Sequence, residues 1–300
     1  MAVNDATAPG EGLVVAAHGR RGQLRTSDGQ TLPYLVPGRR LKIVCGDRVE
    51  WQPATAGEPC TVTSLLARDN ELQRVPARPG PPEVLAANVT LVAVVVAAQP
   101  VPDWFLVDRY LCAAENMAAD GVLVNNKSEL GNALAGELAV YARIGYPVLN
   151  VSAHAGDGLG SLSALFAGQT GILVGQSGVG KSSLLNALVP AAERATASLS
   201  TSSAEGRHTT TASMLYRLPD GGQLIDTPGV RDFLPAIDDV NSIASGFREL
   251  YAAAARCRFA NCRHLREPGC AVKAGVDAGT ISERRYESYK RLFHSLDNRD

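Results

Sequence analysis

Nine consecutive residues near the middle of the chain have the types and spacing of a phosphate-binding loop. They are Gly175, Gln176, Ser177, Gly178, Val179, Gly180, Lys181, Ser182 and Ser183. An apolar run precedes them and a helix-length segment follows, which is the strand, loop and helix order that such a loop needs. The glycines let backbone N–H groups approach phosphates, Lys181 brings a catalytic positive charge to the β- and γ-phosphates, and the Ser182 hydroxyl can ligate Mg²⁺. The segment therefore predicts a site for a nucleoside triphosphate and magnesium.

A second set of polar residues predicts that the base is guanine. Its members are Asn126, Lys127 and Glu129 after one apolar run, and Ser152 and Ala153 after the next. The Glu129 carboxylate can accept from the N1 and N2 donors of guanine, whereas adenine lacks that donor pair and would leave a buried carboxylate unsatisfied. We expect Asn126 at the N7/O6 edge, the Lys127 stem along the base plane, and the Ala153 N–H near O6. Alone this set would be interpreted as a solvated turn, but beside the phosphate loop it indicates GTP and GDP.

The set of residues expected for hydrolysis lacks one usual member. Asp226 ends an apolar run and can hold Mg²⁺ through water, while Gly229 can offer its N–H to the γ-phosphate. Val230 occupies the position where many GTPases have a glutamine, and an apolar side chain cannot orient the attacking water. His208 is our candidate for that role, with a solvated loop histidine as the alternative. Among three consecutive threonines, we choose Thr210 as the Mg²⁺ ligand.

Three cysteines and a histidine near the C-terminus predict a structural zinc site. The cluster is Cys257, Cys262, His264 and Cys270. Three thiolates and one imidazole complete a tetrahedral set with no open position for water, and the metal would replace a hydrophobic core that so short a segment cannot build. Core cysteines that happen to cluster are the alternative. The other cysteines lie in apolar surroundings and are expected to be reduced core thiols: Cys45, Cys60 and Cys112.

The first part of the chain predicts a small β-barrel. Short strands separated by turn signals are expected at 13–15, 23–25, 32–36, 41–44 and 47–51. Residues 13–78 contain ten Lys or Arg against six Asp or Glu, a local charge of +4. In an oligonucleotide-binding barrel this charge would face a phosphate backbone, although an ordinary solvated basic face is the alternative. Four prolines between 76 and 82 predict a linker into the next domain.

The central part alternates apolar runs with helix-length segments, which predicts a parallel sheet buried on both faces. The base-reading residues precede the phosphate loop, whereas ordinary GTPases have the reverse order. A circular permutation keeps the same site with this order. The segment after Gly229 then leads directly into the C-terminal region, so γ-phosphate loss could reposition that region. Residues 191–207, rich in Ser, Thr and Ala, are expected to form a connection.

The last part of the chain is basic and helical. Residues 256–291 contain nine Lys or Arg against four Asp or Glu, a local charge of +5. Apolar residues in 281–293 approximate a helical stripe, with Arg284, Arg285, Lys290 and Arg291 available on other faces. Two basic ends around an acidic centre fit a protein that grips RNA, and they also fit ordinary solvated helix faces.

These motifs together resemble the RsgA family of circularly permuted, ribosome small-subunit-dependent GTPases. The resemblance runs nearly end to end and is carried by 126–129, 175–182, 206–211, 226–231 and the Cys/His cluster. It implies a multidomain protein with an N-terminal all-β OB-fold barrel (1–78), a permuted α/β P-loop GTPase domain (79–235) and a helical zinc-binding domain (236–300). It also points to His208 in hydrolysis and implies a role in late maturation of the small ribosomal subunit. Glu129 departs from the family pattern, which more usually has Asp, and its extra methylene loosens the expected guanine contact.

Composition sets the remaining expectations. The chain has 300 residues, a net charge of −1 and 45% hydrophobic residues, and we find no signal peptide or run long enough to span a bilayer. We therefore expect a cytoplasmic protein. The motifs and the family resemblance imply a GTP hydrolase, expected to be monomeric, whose partners are the small ribosomal subunit and its rRNA. The alternatives are an RNA-binding adaptor that uses GTP as a structural ligand, and a P-loop phosphotransferase.

Overall fold

The structure is a computed structural model that describes residues 9–38, 40–54, 57–76, 80–189, 213–227, 235–237 and 240–297. Three predicted site residues, His208, Thr210 and Gly229, lie outside the described residues, as does the expected connection at 191–207. The roles proposed for them stay predictions.

An N-terminal barrel is built from β1 to β5. Its strands are β1 (Gly10–His18), β2 (Arg21–Thr26), β3 (Thr31–Leu35), β4 (Arg48–Gln52) and β5 (Cys60–Leu65). They are ordered β1-β2-β3-β5-β4, and β4 pairs again with β1, which closes the barrel. Alternate residues such as Val14, Leu24 and Val62 fill the interior and are fully buried. The predicted barrel is confirmed.

One predicted barrel strand is wrong: residues 41–44 form no strand. The backbone N–H of Val44 donates to the Asp47 carboxylate at 2.8 Å, and the Asp47 N–H returns to the Val44 carbonyl at 3.3 Å. Gly46 completes this turn with a φ of 90°. The Asp47 side chain therefore satisfies backbone groups that a strand would have used, so the apolar pattern here marks a buried turn.

A two-stranded hairpin lies where the proline-rich linker was predicted. β6 (Glu71–Arg74) pairs antiparallel with β7 (Glu83–Ala87), so the prolines belong to the connection between two strands. The hairpin crosses the boundary predicted at residue 78. It ties the end of the barrel segment to the start of the central sheet.

The central sheet continues directly from the barrel. It contains β8 (Leu91–Val96), β9 (Asp120–Asn125), β10 (Val148–Asn150), β11 (Thr170–Val174), β12 (Ser213–Arg217) and β13 (Gln223–Asp226). The order is β10-β9-β8-β11-β13-β12, and β12 pairs with β1 of the barrel. All neighbours are parallel except β12, for which the parallel prediction is wrong. A tight turn closed by Leu218 N–H on the Gly222 carbonyl at 2.8 Å joins β12 to β13, and so short a connection permits only antiparallel strands.

Helices cover both faces of the central sheet and place the polar motifs at one edge. They are α1 (Trp104–Asn116), α2 (Ala135–Ile144), α3 (Leu159–Leu165) and α4 (Lys181–Leu188). Every residue of β8 is buried, as expected for a strand between two helical layers. Because β9, β10, β11 and β13 run in the same direction, the motifs that follow them meet at the carboxyl edge of the sheet.

A helical domain completes the chain. It contains α5 (Val240–Ser245), α6 (Arg248–Ala254), α7 (Ala271–Asp277) and α8 (Glu283–Asp297). Phe247, Leu250, Tyr289 and Phe293 are at the centre of its core, which also includes Cys112 of α1. None of the helices in the described ranges combines the length and apolar character that crossing a membrane would require.

Candidate functional site

The glycine-rich loop between β11 and α4 has the backbone that only glycine permits at two positions. Gly175 has a φ of 137°, and a Cβ there would lie 2.3 Å from the Val95 carbonyl oxygen of the neighbouring strand. Gly180 has a φ of 96°, and a Cβ there would lie 2.2 Å from Nδ2 of Asn126. The loop is therefore packed against both β8 and the base-reading segment, and it opens into α4 as the sequence predicts.

Lys181 lies against the loop that it is predicted to serve. Its side chain is buried, and Nζ donates to the carbonyls of Gly175 at 2.6 Å and Gln176 at 2.7 Å. These contacts keep the ammonium within the curve of the loop, whereas Ser177 and Gly178 at the tip of the loop are exposed. A fixed positive charge in this position suits a phosphate group.

Asn126 joins the three predicted nucleotide-binding segments. Its side chain is 1% exposed. Nδ2 donates to the Val179 carbonyl at 2.9 Å, and Oδ1 accepts the Ala153 N–H at 3.1 Å. The Ala153 N–H, expected to face guanine O6, therefore has Asn126 as its partner in this structure, because the two loops touch. Asn126 positions the phosphate loop and the 152–154 turn relative to each other.

Glu129 is exposed and held by Ser152. A hydrogen bond from the Ser152 hydroxyl is the main cause that lowers the pKa of Glu129, and a hydrogen bond from its own backbone N–H acts in the same direction. Ser152 is fully buried, and its Oγ also accepts the Ala155 N–H at 2.9 Å. The carboxylate therefore stays ionised near neutral pH, which is the state that accepts from the guanine N1 and N2 donors.

A loop that the motif search missed forms one wall of the site. Lys127 has a left-handed φ of 59°, and its Nζ donates to the carbonyls of Gly178 at 2.8 Å and Gln99 at 3.0 Å. Asp103 lies four residues after Gln99 in the same loop. Its N–H donates to Oε1 of Gln176 at 3.0 Å, and its side chain caps α1. The signal was present as an N-cap aspartate before an apolar helix, but no spacing rule connects it to the nucleotide.

Ser182 and Asp226 line one small cavity, together with Lys181 and Thr227 on its polar side and the apolar residues Leu173, Leu185, Leu224 and Ile225 on the other. Its volume of about 20 Å³ holds a single water-sized species. One hydroxyl and one carboxylate fit the oxygen donors that Mg²⁺ takes from protein, since this ion completes its shell with phosphates and water. The residues therefore fit magnesium. Ser183, predicted beside them, is exposed at the start of α4.

The four predicted zinc ligands come together in the C-terminal domain. Their ligand atoms all lie within 4.8 Å of one another. Nδ1 of His264 is 3.6 Å from Sγ of Cys257 and 3.5 Å from Sγ of Cys270, which matches the ligand separation of about 3.5 Å around tetrahedral zinc. The residues fit the metal, and Nδ1 is the histidine atom that would bind it.

The surroundings of the cluster lower the pKa of the Cys257 thiol, whereas burial raises the pKa of the Cys262 thiol to about 12, and they hold the loop in place. Burial alone would raise the pKa of Cys257, but backbone N–H groups of Ala271 and Val272 lower it below its ordinary value. Tyr286 donates its hydroxyl to the His264 carbonyl at 2.6 Å. Although burial opposes its charged form, Glu267 accepts three loop N–H groups, which lower its pKa to about 2. The Tyr286 hydroxyl and the Glu267 carboxylate therefore both hold the loop that carries His264. The remaining cysteines are buried and free, as predicted.

The comparisons with known proteins agree with this geometry. The family described as RsgA GTPase matches residues 65–234. The chain belongs to the RsgA GTPase family. The small ribosomal subunit biogenesis GTPase RsgA of Pseudomonas syringae pv. tomato is 40% identical over 294 residues, 95% of this chain and 85% of that protein. The protein of the same name from Azotobacter vinelandii is 39% identical with the same coverage.

Solved structures of permuted GTPases share the whole architecture. YjeQ from Thermotoga maritima aligns with a TM-score of 0.76 and 31% identity, covering 96% of this chain and 99% of its own. YloQ, a circularly permuted GTPase, aligns with a TM-score of 0.74 and 26% identity, covering 100% and 99%. The predicted combination of OB-fold barrel, permuted GTPase domain and helical C-terminal domain is therefore confirmed.

In this member of the RsgA family, α1 connects the nucleotide site to the other domains. Its N-terminal cap contacts Gln176 of the phosphate loop. Arg109 is buried and donates to the Pro235 carbonyl at 2.9 Å, and the next residue, Ala236, donates its N–H to the Gln73 carbonyl of β6 at 3.0 Å. The point where the chain leaves the GTPase domain is thus attached both to α1 and to the hairpin beside the barrel. Sequence reasoning gave no signal for this junction.

Two arginines predicted to face solvent are instead used inside the protein. Arg285 is completely buried and pairs with Asp108 of α1 at 2.6 Å and Glu249 of α6 at 2.5 Å. Arg284 pairs with Asp108 at 2.7 Å and with Glu137 of α2 at 2.9 Å. Burial alone would lower the pKa of Arg285, but these carboxylates raise it above its ordinary value. The prediction that this pair is available on a face of α8 away from the apolar stripe is wrong, because α8 packs both arginines against carboxylates of α1, α2 and α6.

Proposed function

We propose that the protein is a Mg²⁺-dependent GTPase that hydrolyses GTP to GDP and phosphate, is stimulated by the small ribosomal subunit, and acts late in the maturation of that subunit. The observation that carries the nucleotide part is the convergence of three segments on Asn126, which joins the phosphate loop to the base-reading turn. The names of the relatives support the ribosomal part.

Each site residue has a proposed task. Asn126, Lys127 and Glu129 bind guanine, the phosphate loop with Lys181 binds the phosphates, and Ser182 with Asp226 binds magnesium. Thr210 completes the magnesium site, and the Gly229 N–H binds the γ-phosphate. Zinc held by the Cys/His cluster maintains the fold of the C-terminal domain and takes no part in the reaction. Magnesium would neutralise charge on the phosphates, and His208 would orient the attacking water.

The proposed partner is the small ribosomal subunit with its rRNA, bound by a monomer in the cytoplasm. Exposed basic residues in the barrel support RNA as the contact surface. Arg20 and Arg21 lie at the β1–β2 turn, and Arg40 with Lys42 lies in the loop before β4. Other basic residues of the barrel serve internal ion pairs, such as Arg68 with Asp47 at 2.7 Å.

The test is phosphate release from GTP and from ATP by the purified protein, alone and with small or large ribosomal subunits at physiological salt. We expect slow release from GTP that only small subunits accelerate, and no such acceleration with ATP. The His208→Ala variant should lower turnover without changing the affinity for a non-hydrolysable GTP analogue. Unchanged turnover would remove His208 from the mechanism.

Two other outcomes would replace the proposal. Binding of GTP with no hydrolysis under any of these conditions would indicate an RNA-binding adaptor that uses GTP as a structural ligand. Transfer of the γ-phosphate to a small molecule would indicate a phosphotransferase, the function that Val230 in place of glutamine favours.

A further inference from the structure

The loop between the first two cysteines of the metal cluster carries an exposed aromatic ring. Phe259 lies between Cys257 and Cys262 and is 41% exposed. Among the phenylalanines that the structure describes, it is the only exposed one, because the others are buried or half-buried in cores. Phe259 leaves 41% of its surface in water, and this exposed part of the ring is available to a partner.

The backbone around Phe259 is held on both sides. The Arg258 N–H donates to the Gly269 carbonyl at 3.1 Å, and the Cys262 N–H donates to the Phe259 carbonyl at 3.2 Å. The Arg258 guanidinium lies over the Phe259 ring, with Cζ 5.5 Å from the ring centroid. The backbone that carries the ring is therefore held on both sides, which lowers the entropy cost of ordering this loop when a planar partner stacks on the ring.

The surroundings of the ring are positively charged. Four exposed arginines flank the cluster: Arg256, Arg258, Arg263 and Arg266. Among the residues that the structure describes, none of these arginines forms an ion pair, in contrast to the paired arginines of the barrel and of α8. The nearest acid in sequence, Glu267, uses both carboxylate oxygens for backbone N–H groups of the loop. The four arginines therefore have no acidic ion-pair partner among the described residues, and the carboxylate of their loop is held by the backbone.

We propose that Phe259 and Arg258 form a stacking platform for an unpaired RNA base, and that Arg256, Arg263 and Arg266 bind the adjoining phosphates. Aromatic rings and arginine planes stack on unstacked bases, and arginines pair with the phosphates between them. Double-stranded RNA hides its base faces, so single-stranded RNA is the partner that uses both features. The proposal deepens the proposed function and rests on it, because it names the part of the partner that the C-terminal domain contacts.

The test uses the full-length zinc-loaded protein and a short single-stranded oligoribonucleotide that carries one 2-aminopurine, whose fluorescence falls when the base stacks. Phe259→Leu should weaken binding by about 5- to 150-fold, the range measured when a stacking aromatic is removed. Phe259→Trp should bind about as well as the original protein. Zinc content measured on each variant shows that the loop is intact. Equal binding and quenching by Phe259→Leu would overturn the proposal.

A charge variant and its matched control complete the experiment. Arg266→Ala should reduce the slope of log affinity against log salt by about 0.7 for each phosphate that the variant no longer binds, as for single strands. Arg143→Ala, an exposed arginine near the end of α2, should leave the slope unchanged. The same slope for both variants would contradict phosphate binding at the metal loop.

Small ribosomal subunits separate this proposal from the proposed function. Phe259→Leu should need a higher subunit concentration for half-maximal stimulation, with basal GTP hydrolysis unchanged. If the original protein is not stimulated, the proposed function fails, while the oligoribonucleotide result still tests the platform. If Phe259→Leu weakens stimulation but not oligoribonucleotide binding, the platform contacts a ribosomal protein and the RNA proposal is overturned.

Discussion

The C-terminal domain has two sets of arginines, one used in internal ion pairs and the other exposed on the surface. Arg284 and Arg285, at the start of α8, bond to carboxylates on α1, α2 and α6, and Arg285 is fully buried. The arginines around the metal cluster, Arg256, Arg258, Arg263 and Arg266, are exposed and have no acidic partner among the described residues. The first set attaches the domain to the rest of the protein, and the second set is available to something outside it.

The difference between the internally paired and the exposed arginines shows how one domain can be attached to the GTPase domain and still offer a charged surface to a partner. Burying a charge is costly unless carboxylates surround it, so the α8 pair is useful only while α1 and α6 stay in place. Asp108 accepts from both arginines and from the Tyr141 hydroxyl, and the adjacent Arg109 holds Pro235. One turn of α1 therefore contacts the C-terminal helix and the exit from the GTPase domain. A movement of α1 would therefore change the contacts of the C-terminal helix and of the segment that leaves the GTPase domain.

Removal of zinc should have the largest effect and should separate the two sets. Structural zinc contributes about 10–16 kcal/mol of apparent binding free energy in small domains at neutral pH. We expect a chelator, or Cys270→Ser, to abolish protection from hydrogen exchange in the 257–270 loop. Protection at the start of α8 should persist, because Arg284 and Arg285 hold it to α1 independently of the metal. Loss of protection in both segments together would show that the attachment depends on zinc.

Asp108→Ala should have the next largest effect. It leaves Glu249 as the only carboxylate partner of Arg285 and Glu137 as the only carboxylate partner of Arg284, and removing one partner of a buried ion pair costs about 3–5 kcal/mol. The measurement is the free energy of opening of α8 amides by native-state hydrogen exchange. Glu83→Ala is the matched control, because it breaks the partly exposed Arg74–Glu83 pair, for which we expect less than about 1 kcal/mol. Similar values for the two variants would mean that burial adds nothing to the α8 network.

The comparison also shows what could be predicted from the sequence. The barrel, the permuted sheet, the phosphate loop and the Cys/His cluster followed from patterns whose physics is local: alternation, glycine at positive φ, and ligand spacing. The net charge of +5 counted for residues 256–291 is correct. It overstates the positive charge on the protein surface, because Arg284 and Arg285 are used in internal ion pairs. Only the packing of α8 against Asp108, which lies far away in sequence, distinguishes an internal charge from an external one.

The site shows the same limit. The residues proposed to contact nucleotide were predicted from motifs, and the structure brings the phosphate loop and the 152–154 turn together at Asn126. The residues that hold this part of the protein in place were missed. The Gln99 carbonyl accepts from Lys127, the Asp103 N–H donates to Gln176, and Arg109 donates to the Pro235 carbonyl. One partner in each of these contacts is a backbone carbonyl or N–H group, which nearly every residue has, so residue type and spacing do not predict the contact.

Arg256→Ala should have the smallest effect on stability and so provides the sharpest test of the comparison. A substitution on an exposed surface without a partner changes stability by about 0.5 kcal/mol or less. We expect the denaturation midpoint of the zinc-loaded protein to be unchanged, while Asp108→Ala lowers it clearly. A loss for Arg256→Ala comparable to that for Asp108→Ala would mean that the arginines of the metal loop also serve internal packing. The surface charge would then be explained without an RNA partner, and the contrast between the two arginine sets would disappear.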